Sequence, residues 1–197
     1  MIRRIGLLGG TFDPIHLGHL TAAEWARETG QLAEVWFIPA YSPPHKSGAQ
    51  GASPTERQEM VRLAIQDHPA FRLETAELDR GGKSYAADTV ELLTEKHPDA
   101  EFVWIIGGDM VQYLPQWHRI DDIVRRIEFL GLTRPGFPAE KLALPDHLRS
   151  RVFFAEMPGL DISSTEIRAR LKQKLSVRYI VPEQVRLFVE EKGLYAT

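Results

Sequence analysis

Six short runs of aliphatic and aromatic residues punctuate the chain, "IGLLG", "VWFIPA", "FRLETAEL", "FVWIIGG", "FLGLTRP" and "VFFAEMP", and several are apolar on consecutive rather than alternate positions. An alternating strand can leave one face in water. A strand apolar throughout must be covered on both faces, which is the condition of a parallel sheet between helices. The intervening segments can supply that cover. Residues 17 to 29 follow the first run and stop at Gly30, and residues 54 to 67 open with a capping box of Ser53 and Glu56 with Pro54 at the first helical position. Further helices are predicted over 85 to 96, 118 to 127, 163 to 173 and 182 to 192, the last starting at Pro182 and stopping at Gly193.

The strand and helix alternation predicts an α/β fold, a Rossmann-like open parallel sheet flanked by helices, with a C-terminal helical segment. At 197 residues, 43% of them hydrophobic, one compact domain spanning 1–197 is expected, with neither an internal repeat nor a second domain. The net charge of -3 offers no broad basic field for nucleic acid or acidic membranes, so anion recognition has to be local. The absence of cysteine excludes disulfides and thiolate metal sites and suits a reducing compartment. The opening "MIRRIGLLGG" is too short an apolar run for a secretory signal, and no stretch reaches the length of a membrane span, so the expected location is the cytoplasm.

Ligands of open α/β sheets bind beyond the carboxyl ends of the strands, where strand order reverses. Three such ends carry unusual residues: Gly9 and Gly10, the segment Gly107 to Asp109, and "DISSTEIR". The first leads into "GGTFDPIHLGHL". Glycines there either make the bend or let backbone amides approach a nucleotide. His16 closing the turn and His19 in the first helical turn would both face the helix N-terminus, where amides and the macrodipole favour anions, with Gly18 leaving room for a phosphate. Turn chemistry alone demands neither imidazole. No carboxylate or third histidine at ligand-like spacing completes a zinc set, so no protein-held metal site is expected. Ser163 and Glu166 match a capping box, and the same segment offers hydroxyls, amides and Arg168 to phosphate oxygens. Two loops, "YSPPHKSGAQGAS" and "RPGFPAEKLALPDHL", have the Pro and Gly content of segments that lie over a site. Arg57 and Arg134 are basic candidates whose alternatives are a solvated helix face and a strand-end surface charge.

"GGTFDPIHLGHL" resembles the signature of the nucleotidyltransferase superfamily. Together with "PPHK", "SYAADT", "IIGGDMVQYLPQWHRID", "TRPG" and "ISSTEIR", in that order, the chain resembles the bacterial nicotinate-nucleotide adenylyltransferases. The resemblance implies transfer of an adenylyl group from ATP to nicotinate mononucleotide, releasing pyrophosphate, with Mg2+ carried mainly by the ATP phosphates. It implies catalytic roles for His16, His19 and Arg168. It implies ATP contacts from Gly9, Gly10, Thr11, Phe12, Gly107, Asp109, Ser163, Ser164 and Thr165. It implies mononucleotide contacts from Lys46, Tyr85, Ala86, Trp117 and Arg134, with Trp117 offering a face to the pyridine ring. Relatives commonly have Thr at Ala86, Ala at Gly108 and an aromatic at His118; the change at Ala86 removes a side-chain hydroxyl but no backbone donor. His45 and His118 receive no role, and a homo-oligomer is left open. The rivals are a sibling transferase using nicotinamide mononucleotide or phosphopantetheine, and a nucleotide-binding regulator without turnover.

Overall fold

The structure, a computed structural model, describes residues 3–42, 51–137 and 142–196. Strands β1 (Arg3–Gly10), β2 (Glu34–Pro39), β3 (Phe71–Leu73), β4 (Ala100–Gly107), β5 (Glu128–Thr133) and β6 (Val152–Glu156) form one sheet in the order β3-β2-β1-β4-β5-β6. Every neighbouring pair is parallel. The chain winds outward from β1 in one direction through β2 and β3, then in the other through β4, β5 and β6. The reversal leaves a crevice at the carboxyl ends of β1 and β4, where Gly9, Gly10 and Gly107 lie.

The consecutive apolar runs have the expected cause. Leu8, Val35, Phe37, Val103, Ile105, Leu130 and Leu132 face one core, and Ile5, Leu7, Trp36, Ile38, Trp104, Ile106 and Phe129 face another. The first core is closed by residues of α1 (Leu17–Thr29), α2 (Pro54–Ile65), α7 (Ser164–Lys172) and α8 (Glu183–Lys192). The second is closed by α4 (Ala86–Lys96), a 3-10 helix (Gly108–Gln116), α5 (Ile120–Arg126) and α6 (Asp146–Arg149). Successive strand residues point to opposite faces, so a strand apolar on both is what two helical layers require. Phe37 and Phe129, both fully buried, illustrate the gain: each contributes roughly 1.5–3 kcal/mol of burial.

Local punctuation works where expected. Ser53 Oγ accepts from Glu56 N–H while the Glu56 carboxylate accepts from Ser53 N–H, closing the capping box with Pro54 at the first helical position. Two expectations fail. "FRLETAEL" is strand only over Phe71–Leu73, and Ala76–Arg80 forms the short helix α3, because the chain leaves the sheet edge once Glu74 N–H has bonded Phe37 O. Gly108–Gln116, to which the sequence assigned no element, is a 3-10 helix that buries Val111 and Leu114 against the second core. The segment expected as a loop over 134 to 148 also contains α6.

Candidate active site

The turn after β1 is shaped by its packing. A Cβ on Gly9 would lie 2.8 Å from the Trp104 ring, and one on Gly10 would lie 2.9 Å from the Phe12 ring. The space these glycines free is thus occupied by the protein's own aromatics, which holds the strand end bare and close-packed. Phe12 has left-handed backbone, φ 51°, uncommon for a bulky residue, while its side chain is buried at 1% exposure against Phe37 and His19. Any contact from Phe12 to a ligand therefore comes from its backbone.

His16 is the N-cap of α1 and His19 sits in its first turn, as the spacing predicts. The His16 backbone N–H donates to His19 Nδ1 at 3.2 Å, so a neutral His19 carries its proton on Nε2. The two rings lie 3.7 Å apart, centroid to centroid, tilted 30°. His16 is 6% exposed, and burial pushes its pKa from the usual 6.5 to about 4, so it is a neutral imidazole at pH 7. Among the described residues its Nδ1 has no hydrogen-bond partner. A buried, unsatisfied ring nitrogen is costly in a folded protein, so its retention points to a ligand. Gly18 backs the same ring: a Cβ there would sit 3.0 Å from His16 Nδ1. No acidic residue occupies the first turn of α1, which leaves the positive helix end uncompensated.

The N-terminus of α7 docks on this turn. Ser164 Oγ donates to Pro14 O at 2.9 Å, and Arg168 Nη1 donates to Asp13 O at 2.7 Å. Ser163 accepts from Glu166 N–H, so it serves as a helix cap as well as lying beside the histidines' turn. Thr165 is exposed and receives a 3.3 Å bond from Arg168 Nη2. Two segments separated by some 150 residues thereby share one site.

Across the crevice, Gly107 and the exposed Asp109 follow β4. Gly108 fits tightly, since a Cβ would come within 2.6 Å of Thr133 Cγ2. Trp117 is half-buried, with Trp104 and Phe129 edge-on at 6.0 and 5.8 Å. Tyr85 caps α4, Ala86 begins it, and His118 packs on the Tyr85 ring at 4.5 Å, which is where that unassigned histidine goes. Arg134 is exposed beyond β5. Lys46 and His45 lie outside the described residues.

Arg57 corrects the expectation of a solvated helix face. It is 4% exposed and donates to Thr11 O, Tyr41 O and Ala52 O, bracing the turn after β1 against the segments following β2 and preceding α2. Burial lowers its pKa and the nearby Asp13 charge raises it in return. Sequence reading also passed over Asp13 and Tyr195, which touch through a 2.6 Å hydrogen bond across a separation of 182 residues. No local pattern signals such a pair.

Comparison with known proteins agrees with this architecture. A cytidylyltransferase-like family model matches residues 7–170. The chain is 48% identical to the probable nicotinate-nucleotide adenylyltransferase of Geobacillus thermodenitrificans, over 98% of this chain and 86% of that protein. It is 43% identical to the nicotinate-nucleotide adenylyltransferase of Bacillus subtilis, over 98% of this chain and 99% of the other. Among solved structures, the nicotinic acid mononucleotide adenylyltransferase of Plasmodium falciparum complexed with NaAD superposes with a TM-score of 0.77 at 18% identity, covering 98% of both chains, a likeness of fold.

Proposed function

The chain belongs to the nicotinate-nucleotide adenylyltransferase family and transfers the adenylyl group of ATP to nicotinate mononucleotide in NAD biosynthesis, and we propose that it does so through the imidazole pair at the β1–α1 turn. The products are nicotinate adenine dinucleotide and pyrophosphate. The observation that carries the site assignment is the buried His16 Nδ1, without a partner among the described residues and set beside His19 at an uncompensated helix N-terminus.

The acceptor phosphate already bears a nucleophilic oxygen, so the reaction needs no general base. That oxygen forms a bond to the α-phosphorus of ATP while the bond to the departing pyrophosphate breaks. Catalysis then consists of alignment and charge stabilisation. His19 and the neutral His16 donate to phosphate oxygens, and Arg168 supplies positive charge from the first turns of α7. Backbone groups of Gly9, Gly10, Thr11 and Phe12, with Ser163, Ser164 and Thr165, frame the ATP. Gly107 and Asp109 close its far side. Mg2+ carried by the ATP phosphates would neutralise their charge, and Asp109 would accept from the ribose hydroxyls or orient the metal-bound phosphate. The whole chain acts as a single nucleotidyltransferase domain. A cytoplasmic location fits the cysteine-free sequence, and no described helix is long and apolar enough to cross a membrane.

The nicotinate end meets the start of α4. First-turn amides of a helix have no intrahelical acceptor, so Tyr85 and Ala86 offer backbone donors to a carboxylate, and the Ala86 side chain is not needed for that. Trp117 supplies the ring face, with Lys46 and Arg134 as cations toward the acceptor. A neutral amide would turn its NH2 group toward donors and leave one unpaired, a penalty of about 1–3 kcal/mol, or about tenfold and more. Steady-state kcat/KM with nicotinate and nicotinamide mononucleotides tests this. Preference for the acid is expected, and equal values or preference for the amide would refute the donor pocket.

A further inference from the structure

Asp13 stands where four segments meet. Its Oδ1 accepts from Ala52 N–H at 2.9 Å and from the Tyr195 hydroxyl at 2.6 Å, while Oδ2 lies 3.9 Å from Arg168 Nη1. The same Arg168 nitrogen donates to the Asp13 main-chain oxygen at 2.7 Å. The carboxylate is only 14% exposed, and a Cβ on Gly51 would run into Oδ2. Tyr195 reaches it from beyond α8, with its ring packed on the first core and its backbone left-handed at φ 63°. An aromatic residue is rarely left in that conformation unless its contacts over-determine it.

This geometry bears on Arg168. A carboxylate beside an arginine tends to rotate into a two-bond fork with the guanidinium, the strongest pairing open to both groups. Here the fork is not formed. Oδ1 is turned away and held by Tyr195 and Ala52, and Arg168 touches Asp13 chiefly through the main chain. The guanidinium is thus ordered in the free protein, which reduces the entropy lost on binding, while its charge meets the carboxylate only through the long 3.9 Å approach of Oδ2.

We propose that Tyr195 is a positioning residue for adenylyl transfer: its hydroxyl keeps the Asp13 carboxylate from capturing Arg168, so that Arg168 stays available to the ATP phosphates. The proposal rests on the assignment of Arg168 to those phosphates. Tyr195→Phe removes the hydroxyl and keeps the packed ring, so the fold should persist. The expected result is a KM for ATP raised about tenfold, the size of one lost charge-assisted contact, with the KM for nicotinate mononucleotide and the melting temperature nearly unchanged. In an Asp13→Asn background no anion remains to capture Arg168, and Tyr195→Phe should have no further effect on the ATP constant. If Asp13→Asn fails to fold, an Asp13→Ser background, which keeps a small polar side chain but carries no charge, serves the same purpose.

A Tyr195→Phe protein with the wild-type ATP constant overturns the proposal. So does an equal loss toward both substrates, or the same loss in both backgrounds, which a merely structural role would produce. Arg168→Ala and His19→Ala run alongside separate the two levels: if they bind and turn over ATP normally, the phosphate-site reading fails. If they are impaired while Tyr195→Phe is silent, only the role of Tyr195 falls.

Discussion

Burial of His16 should appear as an acid-side loss of stability that a single substitution removes. The folded protein holds this imidazole at 6% exposure with a pKa of about 4, against 6.5 for an unburied histidine. Between those values the unfolded chain binds a proton that the folded chain refuses, so stability falls as pH drops through the window and the effect is complete below pH 4. The full gap corresponds to roughly 3 kcal/mol. Moving from pH 7 to pH 5 brings in about 2 kcal/mol of it, or about 4–8 °C in melting temperature for a chain of this size. His16→Asn keeps a small polar cap residue and cannot titrate. Thermal unfolding of both proteins at pH 5 and pH 7 gives a double difference in which the remaining carboxylates and histidines cancel. The wild type should lose about 2 kcal/mol more than the variant. Parallel curves would show that His16 titrates normally in the fold, and the neutral donor assigned to it at the phosphate site would go with the prediction.

Gly18→Ala should separate stability from function. Alanine gains up to about 1 kcal/mol of helix propensity, while its Cβ, 3.0 and 3.1 Å from His16 Nδ1 and Cε1, pushes the ring aside. Melting temperature should hold or rise as kcat/KM falls about 100-fold, and wild-type kinetics would remove His16 from the reaction. Trp117→Ala should raise the KM for both mononucleotides without moving that for ATP, and lower stability by about 2 kcal/mol through lost packing on Trp104 and Phe129. An unchanged mononucleotide KM would show that this ring only fills the core.

Much of the molecule is legible in the order of its residues because the information is local. Unbroken apolar runs specify strands covered on both faces, Ser53 and Glu56 specify the start of α2, and the spacing of His16 and His19 places both rings at the head of α1. Each depends on the geometry of a few successive residues, 2.0 or 3.6 to a repeat. Other features depend on which distant segments come together. Ser164 and Arg168 reach the turn after β1 only because β5 and β6 pair in register and carry α7 back across the sheet. Arg57 has the spacing of a surface arginine, yet it is buried because the carbonyls of Thr11, Tyr41 and Ala52 converge on it. His16 has no unusual neighbour in the sequence to mark its depressed pKa; the enclosure that causes it is assembled by the fold. The Asp13–Tyr195 bond lies at the far limit of this class, since nothing near either residue encodes its partner. Chain connectivity governs the torsions of adjacent residues, whereas desolvation and charge pairing depend on distance through space, and that distance exists only once the sheet and its helical layers have assembled.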